Sequence, residues 1–68
     1  MEISVFIDRE NSSRDVVLED NTKVSDLLKK LNLNPITVIV SKNGELVMES
    51  EKINENDSIK IFSVISGG

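Results

Sequence analysis

The first residues of the chain alternate between apolar and polar positions. Ile3, Val5 and Ile7 recur at every second position. This spacing is typical of a β-strand that buries one face. A polar, turn-forming stretch follows, and residues 14–19 then predict a second strand with Val16 turned inward.

The middle of the chain changes to helical spacing. The apolar positions now fall at i, i+3, i+4 and i+7, namely Val24, Leu27, Leu28 and Leu31. Such a stripe predicts an amphipathic helix with one buried face. Thr22 is predicted to cap its start, because a threonine hydroxyl can accept a hydrogen bond from an early backbone N–H. Asn32 and Pro35 predict its end.

The second half of the chain predicts three more strands. They cover residues 36–41, 45–48 and 59–64. Asn43-Gly44 predicts a tight hairpin between the first two, because both residues tolerate positive φ. Ile53 is the apolar anchor of the polar connection before the last strand. The predicted order is β-β-α-β-β-β, in which one helix covers one face of the sheet.

Composition excludes several classes of chemistry. The 68 residues contain neither Cys nor His and carry a net charge of −4. Disulfides, thiolate nucleophiles and the commonest general base are therefore absent. The acidic balance argues against nucleic-acid or anionic-membrane partners. No apolar run approaches the roughly 20 residues that span a bilayer. We see no secretion signal, and we expect a cytoplasmic protein.

The outer face of the predicted sheet carries apolar residues where polar ones are expected. By alternation, Phe6, Ile39, Phe62 and Val64 point away from the helix. Isolated apolar residues are normal on protein surfaces. Several on one face indicate a docking patch instead, and the two phenylalanines are its expected anchors.

The chain ends in Gly67 and Gly68. A frayed terminus or a cloning remnant explains such a pair without any function. A functional explanation is also available, since glycine has no Cβ and an extended Gly-Gly tail can enter a narrow channel in another protein. Its terminal carboxylate is then open to activation as an acyl-adenylate.

An acidic connection precedes the last strand. It contains Glu49, Glu51, Glu55 and Asp57. The stretch lacks the spaced ligands and the glycine of a calcium loop. We interpret it as a solvated surface that favours a basic partner.

Three segments together resemble the ThiS/MoaD family of sulfur carrier proteins, which have the β-grasp fold of ubiquitin. Residues 22–31 resemble the family's helix opening, and residues 38–45 resemble its hairpin. Residues 57–68 resemble the family ending, "GD.I.IF.VIGG". One departure is Asn56, which stands where the family usually has glycine; asparagine is the next best residue for positive φ.

The resemblance implies a single α+β domain over residues 1–68. It has a mixed sheet of four to five strands, one helix packed across one face, and a flexible tail at 65–68. The chain itself is expected to be no enzyme and to bind no cofactor or metal. A partner adenylating enzyme would use ATP to activate Gly68, and a sulfur donor protein would convert it to a thiocarboxylate.

The resemblance also implies the partner-binding residues. They are Phe6, Ile39, Phe62, Val64, Ile65 and Ser66, with Gly67 and Gly68 entering the enzyme. The sulfur would pass to a biosynthetic enzyme for thiamine thiazole, molybdopterin or tRNA thiolation, and the free carrier would be a monomer. Two alternatives stay open: a ubiquitin-like modifier joined to target lysines through Gly68, and a passive interaction domain.

Overall fold

A computed structural model of the protein describes residues 1–64. The predicted tail at 65–68 lies outside the described residues. The elements are β1 (Glu2–Ile7), β2 (Ser12–Val17), α1 (Val24–Lys30), β3 (Val38–Lys42), β4 (Glu45–Val47) and β5 (Ser58–Ser63). Short 3₁₀ turns at Asp8–Glu10 and Pro35–Thr37 precede β2 and β3. The predicted order of elements is confirmed.

The strands form one mixed sheet in the order β2-β1-β5-β3-β4. β1 and β5 are parallel neighbours at its centre, and the other three pairings are antiparallel. The first and last strands of the chain therefore lie side by side. Outward residues of β1 thus lie beside outward residues of β5, although more than fifty positions separate them in the sequence.

The core lies between α1 and one face of the sheet. Its fully buried members include Ile3 and Val5 of β1, Ile59 and Ile61 of β5, and Leu27, Leu28 and Val24 of α1. Ile53 is 1% exposed, so the predicted anchor of the acidic connection is confirmed. The alternation of strands and the stripe of the helix therefore meet in a single apolar layer.

Two local predictions are wrong. Thr22 does not cap the helix, because its hydroxyl donates to the Glu19 carbonyl at 2.6 Å. The helix begins one residue later than that cap would allow, and the Asp26 carboxylate accepts from the Lys23 N–H at 3.1 Å. Ile36 is not in a strand and is 82% exposed, because the Asn34 side chain accepts from its N–H and holds it in the 3₁₀ turn.

Asparagine makes the backbone reversals in the described part of the chain. Every non-glycine residue with positive φ there is asparagine: Asn11, Asn21, Asn32, Asn43 and Asn56. The short polar side chain makes the left-handed region less costly for asparagine than for other residues. The predicted helix end, hairpin turn and final turn are thereby confirmed at three of these five positions.

Candidate docking face

The predicted apolar residues lie together on the sheet face opposite the helix. Phe6 in β1 is paired with Lys60 in β5, and Phe62 in β5 is paired with Ile39 in β3. Buried Val5, Ile7, Ile59 and Ile61 flank these positions and point to the helix. We call the surface formed by Phe6, Ile39, Leu46, Phe62 and Val64 the outer patch.

Four of the five residues of the outer patch are only partly exposed to solvent. Ile39 is 41% exposed and Val64 is 47% exposed, while both phenylalanines are half-buried. Opposed cross-strand side chains have Cβ atoms about 4.5–5.5 Å apart, so the paired positions form a continuous surface. Apolar side chains grouped in this way have the character of an interaction surface, whereas isolated exposed residues do not.

Sequence reasoning missed part of this surface. Leu46 in β4 is 71% exposed and is paired with Ser41 of β3, which faces outward like Ile39. Counting outward from the Asn43-Gly44 turn would have found Leu46, because a two-residue turn fixes the register of a hairpin.

The described chain ends at the edge of the outer patch. The Val64 N–H donates to the Thr37 carbonyl at 3.0 Å, so the backbone is held beside β3 up to this residue. Ile65, Ser66, Gly67 and Gly68 were predicted to contact partners, and they lie outside the described residues. The described part of the chain therefore ends one residue after β5.

A polar cluster fixes the β3–β4 hairpin to the start of β5. The Asn43 amide nitrogen donates to Asp57 at 2.9 Å, and the Asn43 oxygen accepts from the Ser58 N–H at 2.9 Å. Lys42 Nζ lies 2.7 Å from Glu51 and 3.9 Å from Asp57. The hairpin that carries part of the outer patch is thereby held to the neighbouring strand.

This cluster corrects the prediction that the acidic connection is a solvated surface. Glu49 and Glu55 are exposed as expected, but the Asp57 side chain is only 11% exposed and Glu51 pairs with Lys42. The acidic connection folds back on the hairpin because a half-buried lysine there needs counter-charges.

The cluster shifts two pKa values. Burial alone would raise the pKa of Asp57, but hydrogen bonds from Asn54 and Asn43 and the charge of Lys42 outweigh it, so the pKa lies below its ordinary value. The hydrogen bond to Glu51 raises the pKa of Lys42 against the opposing effect of desolvation. Both groups therefore stay charged at neutral pH.

Two negative findings apply to residues 1–64. No three carboxylates in that range are grouped closely enough to hold a metal ion. The single helix of that range is also too short and too polar to cross a bilayer. The outer patch is the surface on which the described residues bring the predicted contact residues together.

Comparison with known proteins agrees with this geometry. The five-stranded mixed sheet with one helix is the β-grasp fold of ubiquitin-like proteins. The crystal structure of SAMP1 from Haloferax volcanii matches with a TM-score of 0.77 over 100% of both chains, at 18% sequence identity. At that identity the match establishes the fold.

Sequence comparison identifies the family within this fold. The ThiS family model matches residues 5–68. The sulfur carrier protein TtuB of Thermus thermophilus is 33% identical over 55 residues, which cover 81% of this chain and 85% of that protein. The chain therefore belongs to the ThiS family, and the predicted resemblance is confirmed.

Proposed function

We propose that this protein is a sulfur carrier whose Gly68 carboxylate is adenylated and then converted to a thiocarboxylate. The observation that carries the proposal is the ThiS family match, which runs from residue 5 to Gly68 and so includes the terminal Gly-Gly pair. The similarity to a protein described as a sulfur carrier supports it. A chain without Cys fits as well, since the sulfur would be carried on the terminal carbonyl.

The chemistry needs two steps, both catalysed by partners. A carboxylate oxygen of Gly68 attacks the α-phosphorus of ATP, pyrophosphate leaves, and an acyl-adenylate forms. Hydrosulfide released by a donor protein then attacks the carbonyl carbon. The bond to AMP breaks, a proton is released, and a thiocarboxylate remains. The absence of a side chain at Gly67 and Gly68 removes the steric barrier to both attacks.

The outer patch supplies the recognition in this scheme. We assign Phe6, Ile39, Phe62 and Val64 to contact with the adenylating enzyme, because aromatic and aliphatic anchors dominate interface energies. Ile65 and Ser66 would continue this contact toward the enzyme's channel. ATP would be bound by the partner, and the carrier, a monomer when free, would bind no cofactor of its own.

The sulfur would then go to a cytoplasmic biosynthetic enzyme. Thiamine thiazole, molybdopterin and thiolated tRNA are the acceptors that the family resemblance suggests. Purified acceptor systems for each, supplied with the thiocarboxylate form, would identify the acceptor by which product gains the sulfur. Transfer to none of the three would exclude these acceptor pathways.

Intact mass of the protein from its native host tests the proposal. We expect a species in which one terminal oxygen is replaced by sulfur. Deleting Gly68 should abolish ATP–pyrophosphate exchange with the host's adenylating enzyme while the circular dichroism spectrum is unchanged, because β5 ends at Ser63. Retained exchange would contradict the assignment of Gly68.

The same preparation separates the proposal from protein modification. Tryptic digestion of host proteins would leave residues 61–68 as a remnant on target lysines if the chain were a modifier, because Lys60 is the last cleavage site before Gly68. If such remnants were found and no sulfur-containing form of the protein were detected, the modifier function would replace the sulfur carrier function.

A matched control for the Gly68 deletion is Gly44→Ala, which keeps the tail and alters a turn residue with a φ of 88°. ATP–pyrophosphate exchange should persist in this variant once its folding is verified.

A further inference from the structure

A single lysine stands at the centre of the outer patch. Lys60 lies in β5, and its cross-strand neighbours are Phe6 on one side and Ser41 on the other. Phe62 follows two positions along the same strand and points to the same face. Lys60 is exposed, and it is the only basic residue at an outward position of the five described strands.

Lys60 has no counter-charge within residues 1–64. The ion pairs in that range involve Arg14 and Lys42, and neither includes Lys60. Two outward acids stand on the same face. Asp15 is two strands away and two residues along, and Glu2 is one strand away and four residues along, so their backbone positions are about 12 Å and about 14 Å from that of Lys60 at ordinary strand spacing. A lysine placed among apolar side chains therefore lacks the partner that its charge favours.

We propose that the adenylating enzyme places a carboxylate opposite Lys60, within an apolar surface that covers the outer patch. This inference rests on the proposed function, since it specifies the partner surface for the same face. When the patch is covered, Lys60 loses its water and must gain a negative partner or remain unpaired. An apolar partner lacking that charge would be disfavoured, so the lysine contributes specificity.

The balance of charge over the molecule supports this assignment. The chain carries a net charge of −4, which repels acidic surfaces in general. Attraction of a carboxylate to the patch therefore depends on a local cation, and Lys60 is the one present there. Phe6 and Phe62 can pack against the lysine's methylene chain while its ammonium group stays at the surface.

Three Lys60 variants test the inference by titration calorimetry with the host's adenylating enzyme. Lys60→Met keeps the length and adds apolar surface. A carboxylate opposite Lys60 predicts about tenfold weaker binding and a shallower dependence on salt. Lys60→Glu should weaken binding further, and Lys60→Arg should retain most of it. Lys29→Glu makes the same change of charge as Lys60→Glu at an exposed position of α1, and it should have little effect on binding.

The outcomes separate the inference from the function on which it rests. Equal or tighter binding by Lys60→Met, with unchanged salt dependence, would overturn the inference and leave the sulfur carrier intact. Failure of the wild-type protein to bind or to support pyrophosphate exchange would overturn the proposed function itself. Thermal melts of all variants verify that folding is unchanged, which we expect because Lys60 is exposed.

Discussion

The two faces of the sheet carry similar apolar residues, but these residues are buried to different extents. On the inner face, Val5 is 0% exposed and Ile59 is 1% exposed. On the outer face, Ile39 and Val64 keep more than two fifths of their surface. The inner residues bury their apolar surface on folding, whereas the outer residues leave part of theirs accessible to solvent. Whether a strand residue is buried against the helix or exposed on the outer face depends on its odd or even position in the strand.

The largest expected effect lies on the inner side. Leu28→Ala should lower the free energy of unfolding by about 2–5 kcal/mol, because it removes a side chain that is 1% exposed and leaves a cavity. Urea denaturation measures this. A domain of this size has little stability to lose, so partial unfolding at room temperature is expected. A change below about 1 kcal/mol would mean that the core tolerates the cavity.

An outer-face substitution should show the opposite balance. Phe62→Ala should weaken binding to the adenylating enzyme about tenfold or more and should cost less stability than Leu28→Ala, because Phe62 is only half-buried. Calorimetric titration and a thermal melt together measure both effects. A melt lowered as far as that of Leu28→Ala would show that the ring belongs to the core.

Val17→Ala is the matched control for Phe62→Ala. Val17 is an outward residue, 66% exposed, paired with Glu2 away from the outer patch. Neither binding nor stability should change appreciably. A loss of binding equal to that of Phe62→Ala would mean that the interface extends over the whole outer face of the sheet.

The smallest expected effect lies where the hairpin joins β5. Asp57→Asn should lower stability at neutral pH by about 1 kcal/mol, through loss of charge-assisted hydrogen bonds. The folded pKa of Asp57 is below its ordinary value of 3.8. Its stabilising contribution is therefore present above that value and is lost as pH falls through the folded pKa.

Denaturation at neutral pH and at about pH 3 checks this prediction. The difference between wild type and Asp57→Asn should shrink in acid. Glu49→Gln is the control, because it removes the same charge from an exposed position of the same connection. A difference that stays constant with pH would mean that Asp57 acts through shape and not through charge.

Local features made much of this fold predictable. The helical stripe, the Asn43-Gly44 turn and the alternation of β1 and β5 depend on neighbours within a few residues, and all are confirmed. The errors at Thr22 and Ile36 have a different origin. In each case a nearby polar group offered the backbone or hydroxyl another hydrogen bond, and sequence spacing does not rank such competing bonds.

The candidate site was predictable only in part. Alternation along each strand places Phe6, Ile39, Phe62 and Val64 on the outer side, and it does so without knowledge of which strands are paired. The same reasoning could have placed Leu46 on the outer side. It could not have predicted the burial of Asp57. That burial depends on Lys42 and Asn43, which lie beside Asp57 only when the hairpin packs against β5.

The sequence by itself determined the two faces of each strand, the buried side of the helix and the positions of the turns, because side-chain periodicity and backbone sterics act over a few residues. The tertiary structure alone decided that β1 and β5 are parallel neighbours. That pairing places Lys60 between Phe6 and Ser41 at the centre of the outer patch. The pairing of distant strands depends on how the whole chain buries its apolar surface, and the local spacing of residues does not predict that pairing.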